Sequence, residues 1–191
     1  MKRVFIIHCW GDGPSDNWYP WLKEQLEAKG LEINVPEMPD TQTPKIEAWV
    51  PYLASFVGEL NEETYFVGHS VGCQTILRYL SNQSSVAGGV VLVTPWLRLK
   101  GIDDPEEYEV IKEWVDTPLL LGEAKEHSKK FSAILSDNDP FVFMEDGEIF
   151  KEKLGANLIV ENGKGHLTKK DDGVEQLPSV LEELLKMANE N

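Results

Sequence analysis

A serine, an aspartate segment and a histidine are the residues of this chain that could assemble a nucleophilic catalyst. Ser70 lies in the pentapeptide GHSVG (residues 68–72), directly after a short apolar run. A serine hydroxyl is a weak nucleophile, and it needs a neutral imidazole to accept its proton and a carboxylate to orient that imidazole. His166 can supply the imidazole, and the segment DNDP (residues 137–140) can supply the carboxylate. These three features together predict acyl-transfer chemistry.

The two glycines of the pentapeptide indicate a sharp turn at the serine. Side chains at Gly68 and Gly72 would clash if a strand turned abruptly into a helix at Ser70. The amides at the start of that helix would then point at the nucleophile and stabilise negative charge developing on a substrate. A serine that only capped the helix would not require glycine on both sides, so the motif favours a nucleophile.

For several other polar and aromatic residues, both a functional and a structural role must be considered. Asp137 and Asp139 both suit the carboxylate role, and either one could merely hold a turn, since Asp-Asn-Asp-Pro is typical turn chemistry. We expect a packing role for His69, whose side chain should point away from that of Ser70, and a structural hydrogen-bonding role for His8. Three tryptophans could line an acyl pocket or belong to the core, namely Trp10, Trp96 and Trp114.

Strand-like and helix-like segments alternate along the chain. Short continuous apolar runs predict strands that are buried on both faces, at residues 4–7, 65–67, 90–93, 131–135 and 158–160, and a weaker run predicts another at 32–35. Strands joined by helical crossovers of more than about ten residues must run parallel. The predicted fold class is therefore α/β, a single domain over residues 1–191 with a mostly parallel central sheet covered by helices on both faces.

Helices are predicted between these strands from apolar residues at helical spacing. The clearest segments are 18–29, 72–80, 143–154 and 177–187, and the acidic residues 103–107 open a further helix. Thr43 is expected to cap another helix that has Pro44 at its first position. Pro51 falls inside the apolar pattern of that helix and is expected to kink or divide it.

The predicted topology places the reactive residues together. Active sites of doubly covered parallel sheets lie beyond the carboxyl ends of the strands. Ser70, the 137–140 segment and His166 each follow the end of a predicted strand. Their chain order of serine, aspartate and histidine is the order of α/β-hydrolases, which differs from the orders in chymotrypsin and subtilisin.

Composition excludes several other classes of protein. The net charge is −15, so the surface should repel nucleic acids and anionic membranes. Two isolated cysteines, Cys9 and Cys73, form no disulfide framework, and no residues have metal-ligand spacing. The N-terminal apolar run is too short for a signal peptide, and no run is long enough to span a membrane, so a cytoplasmic location is expected.

Six stretches of the chain occur in the same order as in a known family: 18–22, 34–40, 49–53, 68–72, 137–142 and 165–166. Through them the sequence resembles the small α/β-hydrolases grouped with the retinoblastoma-binding serine hydrolase and its bacterial relatives. The Met-Pro-Asp and Trp-x-Pro pieces at 38–40 and 49–51 have no catalytic reason to exist. They therefore identify this family more sharply than the serine motif does.

The resemblance implies a serine hydrolase that cleaves an ester or other acyl bond of a small substrate, with no metal or organic cofactor. It implies Ser70 as nucleophile, His166 as base and Asp139, the aspartate directly before the proline, as the acid. We expect the backbone amides of Trp10 and Val71 to bind the oxyanion. Many relatives have glycine where this chain has Cys9, which could alter the path of the oxyanion loop.

Two other classes of function are compatible with the same residues. The chain could be a binding or regulatory module on a hydrolase scaffold, because fold does not dictate function. A hydrolase-fold lyase or perhydrolase would use the same three side chains. No feature of the sequence supports a protein partner.

Overall fold

Six strands form a sheet through the centre of the molecule. The computed structural model describes residues 1–189, with strands β1 (Arg3–Ile7), β2 (Glu32–Asn34), β3 (Thr64–His69), β4 (Gly89–Val93), β5 (Phe131–Ser136) and β6 (Asn157–Glu161). Their order across the sheet is β2-β1-β3-β4-β5-β6, and every pairing is parallel. The prediction of a mostly parallel α/β sheet is confirmed. All the strands end at one edge, which brings the loops that follow them together.

Successive apolar side chains of β1, β3, β4 and β5 enter two different clusters, one on each face of the sheet. In β1, Phe5 and Ile7 belong to one cluster, and Val4 and Ile6 belong to the other. The same alternation holds for β3, β4 and β5. Both faces are therefore buried, and this is why the strands read as continuous apolar runs.

Eight helices lie within the described residues, namely α1 (Tyr19–Glu27), α2 (Ile46–Val57), α3 (Val71–Leu80), α4 (Pro105–Asp116), α5 (Leu121–Glu126), α6 (Glu145–Leu154), α7 (Lys169–Asp172) and α8 (Pro178–Asn189). Apolar residues of α1 and α8 fill one cluster, and those of α2 and α3 fill the other. Helices α5 and α7 are too short to show a helical period, so the spacing of apolar residues does not predict their bounds. In residues 1–189, no helix combines the length and hydropathy needed to cross a bilayer.

The predicted start of α2 is wrong. The helix begins at Ile46 with Lys45 before it, and no side chain of the preceding turn caps it. The amide of Ile46 instead donates to the carboxylate of Glu113 on α4, at 2.8 Å. Thr43 therefore does not cap the helix. The acceptor for the first helical amide is the Glu113 carboxylate, which is distant in the chain.

Pro51 does not divide α2. The helix runs without a break from Ile46 to Val57 with Pro51 inside it. Pro51 and Glu47, whose carbonyl loses its usual intrahelical partner, are both exposed. The lost hydrogen bond thus falls on the solvent side, while Trp49 and Leu53 hold the opposite side in the core.

Candidate active site

Ser70 occupies a strained turn between β3 and α3. Its backbone has φ 52° and ψ −113°, a region that residues with a side chain rarely adopt. The Ser70 amide donates to the carbonyl of Val93 at the end of β4, at 2.9 Å. The neighbouring strand and the following helix therefore hold the turn in place, as expected for a serine presented at the end of a strand.

Both glycines of the pentapeptide are required by close backbone contacts. A Cβ at Gly68 would lie 2.8 Å from the amide nitrogen of Cys73. A Cβ at Gly72 would lie 2.2 Å from the carbonyl oxygen of Ile7, at the end of β1. Gly72 thus allows α3 to start directly against β1, whose following loop contains Trp10.

Trp96 contacts the serine hydroxyl. Its indole Nε1 donates to Ser70 Oγ at 3.3 Å, and its side chain is buried. Among the described residues, Ser70 Oγ makes no direct hydrogen bond with His166; such bonds are often long in enzymes without substrate. The sequence placed Trp96 only among three candidate pocket residues, because the adjacency of β4 and β3 is not visible in the chain.

Asp139 and His166 form a hydrogen-bonded pair. His166 Nδ1 lies 2.8 Å from Asp139 Oδ2, and the Asp139 side chain is almost wholly buried. The other oxygen, Asp139 Oδ1, accepts from the amides of Phe141 and Val142 at 2.8 and 3.0 Å. The buried carboxylate is thus satisfied, and the imidazole is held with Nδ1–H on the aspartate and Nε2 free to act as a base.

Asp137 has a different contact. Its Oδ1 accepts from the amide of Gly163, at 2.7 Å, and so ties the loop after β6 to the end of β5. Asn138 does the same through Oδ1, which accepts from the amide of Gly165 at 2.8 Å. Of the two aspartates that the residues alone left open, Asp139 is the one that contacts His166.

His69 links the serine turn to the His166 loop. Its Nε2 lies 3.0 Å from the carbonyl oxygen of His166, and the centroids of the two imidazole rings are 5.5 Å apart. The ring of Phe141 also packs against that of His166, with the ring centroids 5.3 Å apart. Because Ser70 directly follows His69, these contacts bring His166 beside the turn.

The packing role predicted for His69 is incomplete. Its ring is fully buried, and its Nδ1 lies 2.7 Å from the hydroxyl of Tyr19 on α1. Burial is the main reason why the pKa of His69 is lowered to about 3. His8 makes the hydrogen bonds expected of it, to the Cys9 carbonyl and from the Met38 amide.

Cys9 is held within the loop after β1. Its thiol donates to Asp12 Oδ2 at 2.9 Å, and its amide donates to the Tyr19 hydroxyl at 3.2 Å. The backbone amide of Trp10 makes no hydrogen bond within the described residues. Val71 is the first residue of α3, where an amide has no intrahelical acceptor. Both amides are therefore available to an oxyanion.

One group of side chains has the composition of a metal site. Ligand atoms of Cys9, Asp12 and His69 lie within 4.8 Å of one another. Hydrogen bonds among Cys9, Asp12 and the Tyr19 hydroxyl, which lies against His69, already account for their positions. We therefore assign no metal to this group.

The other two candidate tryptophans differ from Trp96. Trp114 is buried, donates its indole N–H to the Pro44 carbonyl at 2.9 Å and packs on Trp49, so it is a core residue. Trp10 is half-buried and donates its indole N–H to the Gln42 carbonyl at 2.9 Å.

A strained serine after β3, and a buried aspartate after β5 that is hydrogen-bonded to a histidine after β6, are features of the α/β-hydrolase class. The sequence profile of the family described as serine hydrolase matches residues 4–186, and the chain belongs to this family. The prediction of a small serine hydrolase with the α/β-hydrolase fold is confirmed, and the protein is a hydrolase.

Known proteins similar to this chain have the same fold. YdeN of Bacillus subtilis (strain 168) is 30% identical over 188 residues, which cover 96% of this chain and 94% of YdeN. The crystal structure of the B. subtilis ydeN gene product has a TM-score of 0.89 at 28% identity, covering 99% of this chain and 100% of that one.

Two more distant structures share the fold alone. Est1E of Butyrivibrio proteoclasticus, solved with ferulic acid bound, has a TM-score of 0.76 at 14% identity, covering 99% of this chain and 90% of Est1E. The monoacylglycerol lipase of Paleococcus ferrophilus has a TM-score of 0.73 at 16% identity, covering 99% and 95%.

Proposed function

We propose that the enzyme cleaves an ester or other acyl bond of a small substrate through Ser70, His166 and Asp139. The observation that carries this proposal is the Asp139–His166 hydrogen bond, at 2.8 Å, held beside the strained turn of Ser70. A buried carboxylate orients the imidazole in the tautomer that can accept the serine proton. Membership of the serine hydrolase family supports the same assignment.

The reaction proceeds in two halves. Ser70 Oγ attacks the acyl carbonyl while His166 Nε2 takes its proton, and the leaving group departs with a proton returned by His166. Water, activated by the same imidazole, then releases the acid from the acyl-enzyme. The amides of Trp10 and Val71 stabilise the oxyanion in both halves, each donor contributing about 3 kcal/mol.

The substrate proposed is an ester with an apolar or aromatic acyl group. Two aromatic side chains lie beside the reactive groups: Trp96 donates to Ser70 Oγ, and Phe141 packs on His166. Among the fold neighbours, Est1E was solved with ferulic acid and another is named a monoacylglycerol lipase, which supports carboxylic ester chemistry.

The proposed location is the cytoplasm. Cys9 and Cys73 are free thiols, which supports action in the reducing cytoplasm.

Labelling with a fluorophosphonate probe tests the proposal. Wild type should be labelled on Ser70, and Ser70→Ala should not be labelled. Ser55→Ala, which removes an exposed hydroxyl from α2, serves as the matched control and should be labelled like wild type. A panel of p-nitrophenyl esters of increasing acyl length would then define the acyl preference.

The contrary outcome is also informative. If folded wild type is not labelled and hydrolyses no ester of the panel, the proposed acyl transfer is wrong. The binding module considered from the sequence would then become the preferred function.

A further inference from the structure

Trp96 presents its indole N–H to the nucleophile. Trp96 Nε1 lies 3.3 Å from Ser70 Oγ, and an indole nitrogen only donates, so the serine oxygen is the acceptor. The Trp96 side chain is buried, so solvent does not compete for its N–H. Among the described residues, this contact is the one hydrogen bond that the serine hydroxyl makes.

Two buried side chains hold the backbone of Trp96 in place. Its carbonyl accepts from Gln74 Nε2 on α3 at 2.8 Å. The next amide, that of Leu97, donates to Asp146 Oδ2 on α6 at 2.9 Å. Gln74 and Asp146 are both almost wholly buried. The residue that contacts the nucleophile is therefore fixed on each side, from two different helices.

The two supporting side chains are themselves oriented by arginines. Arg78 Nη2 donates to Gln74 Oε1, and Arg98 Nε donates to Asp146 Oδ1, both at 3.2 Å. Because an arginine only donates, the amide nitrogen of Gln74 must face the Trp96 carbonyl. The position of the indole is thus determined by a connected set of hydrogen bonds.

The chain bends sharply between β4 and Trp96. Thr94 has φ 46°, a conformation that β-branched residues rarely adopt. Its amide donates to the carbonyl of Ile134 on β5 at 2.7 Å, which holds the bend. Strain of this kind costs free energy and concentrates at active sites, where the surrounding structure maintains it. The bend therefore favours a functional role for the residues that it positions.

The serine oxygen is in a different chemical state in each half of the reaction. In the free enzyme it is a hydroxyl oxygen, which already accepts from the indole. In the acyl-enzyme it is an ester oxygen, a weak acceptor because its lone pair is delocalised into the carbonyl. When the acyl-enzyme is hydrolysed, the bond between the acyl carbon and Ser70 Oγ breaks. Its electron pair goes to Oγ, to which His166 returns a proton, so negative charge develops at the atom that faces Trp96.

We propose that Trp96 is a catalytic residue of the second half of the reaction, whose indole N–H stabilises Ser70 Oγ as the acyl-enzyme is hydrolysed. The contact strengthens between the acyl-enzyme and the transition state, and only such a gain accelerates a step. Acylation gains little, because the contact exists before it begins. The separation of 3.3 Å also leaves room for the bond to shorten toward about 2.9 Å as charge develops.

This role differs from that of the oxyanion amides and rests on the proposed function. The amides of Trp10 and Val71 would serve the former carbonyl oxygen of the substrate, whereas Trp96 serves the oxygen of the enzyme. Loss of an oxyanion donor slows both halves of the reaction. Loss of the indole N–H should slow hydrolysis of the acyl-enzyme selectively.

A matched pair of tryptophan variants tests this role. Trp96→Phe removes the donor and keeps an aromatic ring, and Trp114→Phe makes the same change at a buried core residue whose indole donates to the Pro44 carbonyl. A p-nitrophenyl ester has a good leaving group, so acylation is fast and the acyl-enzyme accumulates. We expect Trp96→Phe to lower kcat and KM together by about tenfold, with kcat/KM and the rate of fluorophosphonate labelling within about threefold of wild type. Trp114→Phe should change none of these by more than about threefold.

Hydrolysis of the acyl-enzyme can also be followed directly. Intact-protein mass spectrometry after removal of excess ester gives the rate at which the acylated protein disappears. We expect this rate to be about tenfold lower in Trp96→Phe than in wild type or Trp114→Phe. If Trp96→Phe does not fold, benzothienylalanine at position 96 makes the same test, because it has sulfur in place of the indole N–H and nearly the same shape.

The contrary outcomes are distinct. Equal rates of acyl-enzyme hydrolysis in folded wild type and in the variant at position 96 would overturn the role of Trp96. A loss of kcat/KM or of labelling rate as large as the loss of kcat would also overturn it, since a structural defect of the serine turn affects both halves of the reaction. If wild type forms no acyl-enzyme and is not labelled, the proposed function itself is wrong.

Discussion

The turn that presents Ser70 and the loop that presents His166 are built in opposite ways. The turn is local: residues 68–72 join β3 to α3, and two glycines remove the clashes that would prevent it. The loop of residues 162–167 is held from outside, by Asp137, Asn138 and His69. The nucleophile can thus be recognised from one short motif, whereas the position of the base depends on residues distant in the chain.

The largest effect is expected from the centre of the turn. Ser70→Ala should lower kcat/KM by about 10⁴-fold or more, because no other group supplies the nucleophile. Hydrolysis of a p-nitrophenyl ester checks this. The far-ultraviolet circular dichroism spectrum should match wild type, and full turnover by the folded variant would refute the assignment.

The second effect compares the two aspartates of the loop region. Asp139→Asn should lower kcat about 10³-fold, because an amide can favour the wrong imidazole tautomer. Asp137→Asn weakens only the contact with the Gly163 amide, so it should change kcat by less than about fivefold. It should lower the free energy of unfolding by about 1 kcal/mol. Steady-state kinetics and urea unfolding of both variants measure the difference. Equal losses of kcat would contradict the distinction.

The third effect concerns the turn's glycines. Gly72→Ala should lower the free energy of unfolding by about 3 kcal/mol, since its Cβ would meet a backbone oxygen of β1 that cannot move aside. Gly122→Ala in α5, where a Cβ meets nothing within 4 Å, should instead raise stability by about 0.5–1 kcal/mol. Urea unfolding compares the two. Equal stability of the variants would show that the turn is not sterically determined.

The smallest effect is the pH dependence of stability. The pKa values of His8 and His69 are lowered by burial, so the unfolded chain binds protons that the folded protein does not. The contribution of both histidines to stability is complete above about pH 6.5 and is lost as the pH falls, for His69 as the pH approaches its folded-state pKa of about 3. The raised pKa of Asp12 has the opposite effect, because the folded protein then binds a proton that the unfolded chain does not. This is one proton against the two of the histidines, so stability still falls on acidification.

Urea unfolding at a series of pH values measures this dependence. Stability should fall by about 1 kcal/mol per pH unit below about pH 6.5. His8→Asn removes one of the two histidines and should reduce the slope. A stability that rises throughout this range on acidification would contradict the assignment of neutral, buried histidines.

Much of the fold was predictable from local pattern. Strands buried on both faces appear as apolar runs, and β1, β3, β4, β5 and β6 all lie where those runs predicted them. The start of α2 was not predictable, because the acceptor of the Ile46 amide is Glu113 on another helix. The identity of a cap is visible in the sequence only when the cap is a neighbour in the chain.

The sequence by itself determined the class of chemistry and its approximate location. Apolar runs separated by helical segments require a parallel sheet, and the glycines around Ser70 mark the turn at the end of one strand. Only the tertiary structure decided that Trp96 contacts the serine and that His69 joins Tyr19 to the His166 loop. These contacts depend on which strands are neighbours, β4 beside β3 and β6 beside β5, and the periodicity of a chain does not encode that order.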